Sequence, residues 1–186
     1  MKLLALTGAA LLVLGLGGCS APADESAEPD TPNQSDTVEP DAPASDAPCG
    51  GLTTDDLVGI FGIELDGPEP SSGSSDQNGV TWTSAGCDWE NEASELEIDL
   101  DISQASDFPE GTITCIEPGG VGDVTPVSGL GTQAWWKFDD FNEVEGELRV
   151  CTDDRLVELA VDAETGSMTS DELKGNVETA MRIVVD

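Results

Sequence analysis

The amino-acid sequence predicts an α+β domain: a mostly antiparallel sheet packed by a short N-terminal helix and a longer C-terminal helix, with two disulfides. Three observations predict it. Residues 95–102 alternate strictly between acidic and aliphatic side chains, which is typical of a half-buried strand. Apolar residues after Thr169 recur at helical spacing. The domain contains four cysteines, Cys49, Cys87, Cys115 and Cys151, and an even number indicates disulfides if the chain is exported.

The strands are predicted from alternation and from turn residues. In the 95–102 stretch the aliphatic side chains should form a buried face, leaving a solvated acidic face of Glu95, Glu97, Asp99 and Asp101. Further strands are expected at 80–84 and 87–90 around an Ala85-Gly86 turn, at 135–138, and at 144–152 and 155–161 around Asp153-Asp154. Residues 66–79 are mostly Gly, Ser, Pro and Asp and predict a loop.

Capping residues mark the two helices. The hydroxyl of Thr53 can cap a short helix that Gly59 and Gly62 weaken. Thr169 and Glu172 are spaced as a capping box for the C-terminal helix. Its apolar positions should pack on the sheet: Leu173, Val177, Ala180, Met181 and Val184.

The four domain cysteines can pair in three ways. We favour Cys49–Cys87 and Cys115–Cys151, because sequential pairing holds each half of the domain separately. Zinc binding is the competing interpretation. It is disfavoured because the chain has no histidine and no two cysteines stand at the C-x₂₋₄-C spacing of a zinc site.

The first 18 residues have the form of a lipoprotein signal peptide. Lys2 precedes an apolar run that is shorter than the 20 or so residues a membrane-spanning helix needs. The run ends in Leu16-Gly17-Gly18-Cys19, a lipobox, so we expect cleavage before Cys19 and lipidation of its sulfur. The acyl chains would anchor the protein stably in the cell membrane, on its extracytoplasmic face.

Three segments follow from this: the signal peptide at 1–18, lipidated Cys19 with a tether to residue 48, and a domain at 49–186. The tether contains six prolines and eight acidic residues, and no Lys, Arg or aromatic residue. Such a segment cannot bury enough apolar surface to offset the entropy of ordering, so we expect it to be disordered.

Charge excludes one class of function. The domain has 31 acidic residues against five Lys and Arg, a net charge of −26. Nucleic-acid binding depends on clustered Lys and Arg, so no nucleic-acid partner is expected. The acids fit adaptation to a salty medium, the interpretation we favour from the sequence, or else the binding of cations, basic peptides or a basic partner.

No metal, cofactor or catalytic residue is predicted. Asp99-x-Asp101-x-Ser103 resembles the start of a calcium loop, and Glu110 stands at the position of its final Glu, but Gln104 stands where such a loop needs its Gly. Side chains on one face of a strand also lie roughly 7 Å apart, which makes a poor calcium cage. Without histidine, a Ser-His-Asp triad is impossible. A glycosidase-like carboxylate pair is the remaining enzymatic alternative, yet no two acids are singled out by the sequence.

The adjacent Trp135 and Trp136 are the candidate ligand-binding residues. Neighbours on a strand face opposite sides of the sheet, so one ring should lie at the surface or in a groove beside the glycine-rich 119–131 stretch. An exposed Trp suits stacking on a sugar or capture of an apolar ligand. Packing under a loop is the alternative. By contrast, Trp89 should pack on the Cys87 disulfide.

The order of several motifs resembles a family of actinobacterial lipoproteins of unknown function. The motifs are the lipobox, Pro48-Cys49 before a short helix, Cys87-Asp88-Trp89, and Val127-Ser128-Gly129-Leu130-Gly131. Gly51 and Thr132 depart from the family pattern, which has Leu and Asp there. The resemblance implies a compact domain similar to the extracellular sensor domains of mycobacterial membrane kinases and a role at the envelope; it implies no catalytic residue.

We therefore expect a monomeric cell-surface lipoprotein that binds an envelope ligand or an envelope protein. The alternative is a structural or interaction role in the cell wall without a small-molecule ligand.

Overall fold

The computed structural model describes residues 49–141 and 144–186. The predicted signal peptide (1–18), the lipidation site Cys19 and the tether to residue 48 lie outside these residues. In the part of the chain that is described, no helix has the length and apolarity needed to cross a membrane.

Within the described residues, seven strands form one antiparallel sheet in the order β1-β2-β3-β7-β6-β5-β4. The elements in chain order are α1 (Thr54–Phe61), β1 (Asp66–Gln77), β2 (Val80–Asn91), β3 (Leu96–Gln104), a 3₁₀ turn (Ala105–Asp107), β4 (Asp123–Pro126), β5 (Gln133–Asp139), β6 (Val144–Cys151), β7 (Arg155–Ala163) and α2 (Ser170–Val185). The predicted α+β class, with a short first helix and a long last one, is confirmed.

Both helices begin as the sequence predicts. The hydroxyl of Thr53 accepts the N–H of Asp56, and the Asp56 carboxylate accepts the N–H of Thr53. Thr169 and Glu172 repeat this capping box at α2. Hydrogen bonds from Thr169 hold the pKa of the Glu172 carboxyl below its usual range. The five predicted core residues of α2 are all buried.

The main core lies between the two helices and one face of the sheet. Alternating positions of the central strands supply its apolar side chains, such as Leu100 of β3, Leu159 of β7 and Leu148 of β6, each completely buried. At roughly 25 cal/mol per Å² of apolar surface removed from water, this layer dominates stability. Trp89 lies in the same core, on the Cys87 side as predicted.

The predicted loop at 66–79 is wrong: residues 66–77 form the edge strand β1. Its Ser- and Gly-rich sequence lacks an apolar face, because most of the strand is exposed on both sides. The strand is set by the two-residue turn Asn78-Gly79, whose φ angles of 54° and 80° match the twist of a hairpin.

The predicted turn at Ala85-Gly86 is also wrong, because β2 runs unbroken through it. A Cβ on Gly86 would lie 1.6 Å from the Leu100 carbonyl oxygen, so glycine serves here to let two strands approach. β4 was not predicted; it lies within the glycine-rich 119–131 stretch.

Both favoured disulfides are present. Cys49–Cys87 joins the start of the domain to β2, with a Cα–Cα distance of 5.4 Å. Cys115–Cys151 joins the segment after the 3₁₀ turn to the end of β6, with a Cα–Cα distance of 5.9 Å.

Candidate binding face

The sheet face opposite the two helices, here called the open face, carries the candidate site. One end of this face is covered by residues 105–119, which follow β3. Their Phe108 and Ile116 form a second small core with Trp82 of β2 and Leu156 of β7. The Phe108 ring stacks on Trp82 at 5.9 Å between centroids. The Cys115–Cys151 disulfide lies in the same cluster and fastens this cover to the sheet.

Next to the covered part lies a buried ionic network. Arg149, only 6% exposed, contacts Glu158 at 2.5 Å and Glu147 at 3.0 Å. It also donates to the Ile116 carbonyl and lies over the Trp82 ring. Burial raises the pKa of Glu158 above its ordinary value, although the Arg149 charge opposes this.

Lys137 extends the network along the sheet. Its Nζ contacts Glu145 at 2.7 Å and Glu147 at 3.7 Å. Burial alone would lower the pKa of Lys137, but the hydrogen bond and charges of these two glutamates raise it. The network thus uses two of the five cations of the domain, and the others lie on β7 and α2: Arg155, Lys174 and Arg182.

At the uncovered end, the register brings six carboxylates into one line, here called the acidic row. Each member lies directly opposite the next on the neighbouring strand, in the order Asp66, Glu90, Glu97, Asp162, Glu145, Asp139. With strands about 4.8 Å apart, the row crosses six strands and spans roughly 24 Å. Directly opposed like charges destabilise a sheet, so this arrangement works against folding.

The next line of residues holds a closer carboxyl pair. Asp88 of β2 lies directly opposite Asp99 of β3, and their side chains share a hydrogen bond. Burial, followed by the charges of Asp88 and Glu97, raises the pKa of Asp99 to about 7. Asp99 therefore keeps its proton at mildly acidic pH and becomes charged near neutral pH.

Two shallow grooves border the acidic row. One of about 350 Å³ opens at the end of the sheet, and the acids that line it are Glu90, Glu92, Glu95, Glu97, Asp162 and Glu164. The second, of about 140 Å³, lies against the start of β1, and its acids are Asp66, Glu69, Asp88, Glu90 and Glu97. No Lys or Arg lines either groove.

The two predicted ligand-binding tryptophans face opposite sides of the sheet, as expected. Trp136 is 4% exposed, belongs to the main core and stacks on Phe138. Trp135 is half-buried and packs against the second core under residues 105–119. Neither ring lines a groove described above. Trp135 is therefore the only one of the two with surface left for a ligand.

Sequence reasoning found part of this face. It placed the four acids of 95–101 on a solvated side, and Glu97, Asp99 and Asp101 do lie on the open face. Glu95 lies instead in the turn before β3, with a φ of 49°. The acidic row itself was missed, because it depends on the register of six strands. The hairpin turn Asn78-Gly79 was the one local signal available for the β1–β2 part of that register.

Among the described residues, no group of three or more Cys, Asp or Glu side chains is arranged to hold a metal ion. Comparison of the chain with protein-family models, with characterised proteins and with solved structures finds no match. The resemblance to actinobacterial lipoproteins therefore stays a prediction from the motifs.

Proposed function

We propose that this chain is a lipid-anchored protein of the extracytoplasmic cell surface, and that its domain binds a cationic protein or peptide across the acidic row. The acidic row is the single observation that carries the binding role. Lys137 compensates Glu145 within the row. Directly opposed carboxylates such as Glu90 and Glu97 are nevertheless costly to keep on one sheet face, and a partner rich in Lys and Arg would relieve their repulsion.

The shape of the face favours a polypeptide over a small molecule. Sites for small ligands are concave and mostly apolar. The grooves beside the acidic row are shallow and lined chiefly by carboxylates. A row about 24 Å long matches a strand or helix of a partner better than a single small cation. Charge on this scale also speeds association with an oppositely charged partner.

The proposal includes no catalysis. The four domain cysteines form disulfides, and the sequence contains no histidine to act as a general base. Asp99, which lies directly opposite Asp88, has a pKa raised to about 7 by burial and by the neighbouring carboxylates. We propose that Asp99 changes the charge of the open face as the pH changes.

The anchor and tether would place this face outside the membrane. A lipid on Cys19 would fix one end of the chain, and the 29 residues after it, predicted from their composition to be a tether, would reach on the order of 30 Å. The domain could then meet partners in the envelope without leaving the cell. The lipid is tested by mass spectrometry of membrane-extracted protein: the expected N-terminal peptide begins at an acylated Cys19, and the Cys19→Ser variant is released from the membrane.

The binding role is tested with the mature chain from residue 19, carrying Cys19→Ser, and a lysine-rich peptide as the probe. Glu90→Gln with Glu97→Gln removes two neighbouring charges from the acidic row. We expect this variant to bind about tenfold more weakly, measured by calorimetry at moderate salt.

The matched control removes two charges elsewhere, by Glu110→Gln with Asp153→Asn, both exposed and outside the row. It should weaken binding less than about twofold. Equal losses in the two variants would show only diffuse attraction to an acidic protein. That result would reject the acidic row as a site and favour the structural alternative, a tethered spacer of the cell wall.

A further inference from the structure

The geometry points to strand addition at β1: an extended, basic segment of the partner pairs with the free edge of β1 as an eighth strand of the sheet. The inference rests on the proposed function and specifies how the cationic partner is held.

The β1–β2 turn fixes which backbone groups of β1 point outward. In a two-residue hairpin the residues flanking the turn form a hydrogen-bonded pair, here Gln77 and Val80. Alternate residues of β1 therefore bond to β2, down to Ser71. The residues between them direct N–H and C=O groups away from the sheet: Ser72, Ser74 and Asp76. These groups form a continuous template for another strand.

The two edges of the sheet differ in how they are protected. β4, at one edge, has four residues and ends in Pro126, which has no N–H to donate. β1, at the other edge, has 12 residues. Its prolines, Pro68 and Pro70, and its register irregularity all lie at the Asp66 end. From Ser71 to Gln77 the register is regular and the strand carries no proline.

Side chains along this part of β1 are small. The stretch reads Ser-Ser-Gly-Ser-Ser before Asp76, and Ser72, Gly73 and Ser74 are exposed. An incoming strand would meet neither bulky nor basic groups, whereas lysines are the usual means of blocking an edge. An open edge of this length favours aggregation with other strands, unless it serves to bind a partner.

The charge of β1 and β2 determines which kind of segment can pair with the edge of β1. β1 and β2 together contain no Lys or Arg, and the acids along them are Asp66, Glu69, Asp76, Asp88 and Glu90. A second copy of this chain would bring a net charge of −26 against the same charge, which opposes edge-to-edge pairing. A basic segment would gain the backbone hydrogen bonds and attraction to Asp76 and Glu69 of β1. Where it extends past the Asp66 end of β1, it would also meet the first carboxylates of the acidic row, which runs across the strands.

The test uses the mature Cys19→Ser chain and two probes of equal charge. One is a short peptide that alternates lysine and valine; the other has the same sequence with every internal amide N-methylated, so that it cannot donate to a strand. We expect the unmodified peptide to bind about tenfold more tightly. Equal binding of the two probes would overturn the inference.

Ser74→Pro removes one outward N–H while leaving the bonds to β2, and it should abolish the preference for the unmodified peptide. Ser74→Ala is its control and should keep the preference. If Ser74→Pro does not fold, as judged by circular dichroism, the two probes on the parent chain decide alone. Different results would reject the two proposals. If the two probes bind equally but binding still requires Glu90 and Glu97, only strand addition is rejected. If Glu90→Gln with Glu97→Gln leaves binding unchanged, the acidic row is rejected as a site.

Discussion

At the scale of single residues, the open face is shaped by how each carboxylate is compensated. Glu158 and Glu147 lie against Arg149, and burial of such a group is tolerated when a guanidinium is at hand. Asp99 has no such partner in its surroundings and faces Asp88 instead. It is compensated by a proton, so its charge changes near neutral pH.

The first prediction concerns Asp99. An unfolded Asp releases its proton near pH 4, whereas the folded chain keeps a pKa of about 7 at Asp99. Between these values the folded state binds more protons than the unfolded state, so stability should fall as the pH rises from about 4 to about 7. Asp99→Asn keeps a hydrogen-bonding group without the charge. We expect it to be about 1 kcal/mol more stable than the parent at pH 8.

Denaturant unfolding at pH 5 and pH 8 measures this difference. Asp153→Asn, which changes an exposed turn residue far from the pair, should leave the pH dependence of the parent chain in place. An Asp99→Asn variant that loses stability between pH 5 and pH 8 as steeply as the parent would show that the dependence arises elsewhere.

At the scale of elements, the sequence predicts those that show a hydrophobic period and misses those that do not. β3 and α2 each place one apolar face on the core, and both were found close to their true bounds. The β6–β7 hairpin was found from its turn. β1 was missed because an edge strand buries little, so selection for an apolar face is absent. Gly86 led to the wrong prediction of a turn, because a glycine at this position serves to let β2 and β3 approach each other closely.

The candidate site was less predictable than the fold. Alternation places Glu97 and Asp99 on a solvated face, but which acids meet across strands depends on long-range register. The Trp135-Trp136 pair was singled out by residue type. Whether each ring can reach a ligand depends on its place in the sheet: Trp136 lies between its strand and a helix, and Trp135 lies beneath the 105–119 segment.

The second prediction concerns the segment that covers one end of the open face. Cys115→Ser with Cys151→Ser should lower the free energy of unfolding by about 4 kcal/mol, the chain-entropy value for a loop closed across 36 residues. Loosening should be local as well. Ile116 is 7% exposed in the folded chain, and the peptide bond before it should become a site of rapid thermolysin cleavage.

The matched variant is Cys49→Ser with Cys87→Ser, whose loop is of similar length at 38 residues. It should lose similar stability in denaturant but keep the bond before Ile116 protected, because that disulfide lies in the main core. Equal cleavage before Ile116 in both variants would contradict the assignment of the Cys115–Cys151 disulfide as the bond that fastens residues 105–119 to the sheet.

At the scale of the whole molecule, two explanations of the acidity make different predictions. The chain has a net charge of −33, and adaptation to salt would distribute its effect over the entire surface. A dedicated acidic row would concentrate repulsion where carboxylates are directly opposed. Both explanations require stability to rise with salt. They differ in which carboxylates are responsible, and substitution can separate them.

The third prediction follows from screening. Opposed carboxylates on neighbouring strands lie roughly 5 Å apart, well inside the Debye length of about 10 Å at 0.1 M salt and beyond the length of about 3 Å at 1 M. Unfolding in urea at these two NaCl concentrations should show a clear gain in stability at high salt. Glu90→Gln with Glu97→Gln should remove a large share of that gain, whereas Glu110→Gln with Asp153→Asn should remove little. Equal reductions would mean that the repulsion is spread over the surface, and the acids would then be explained by salt adaptation without a partner.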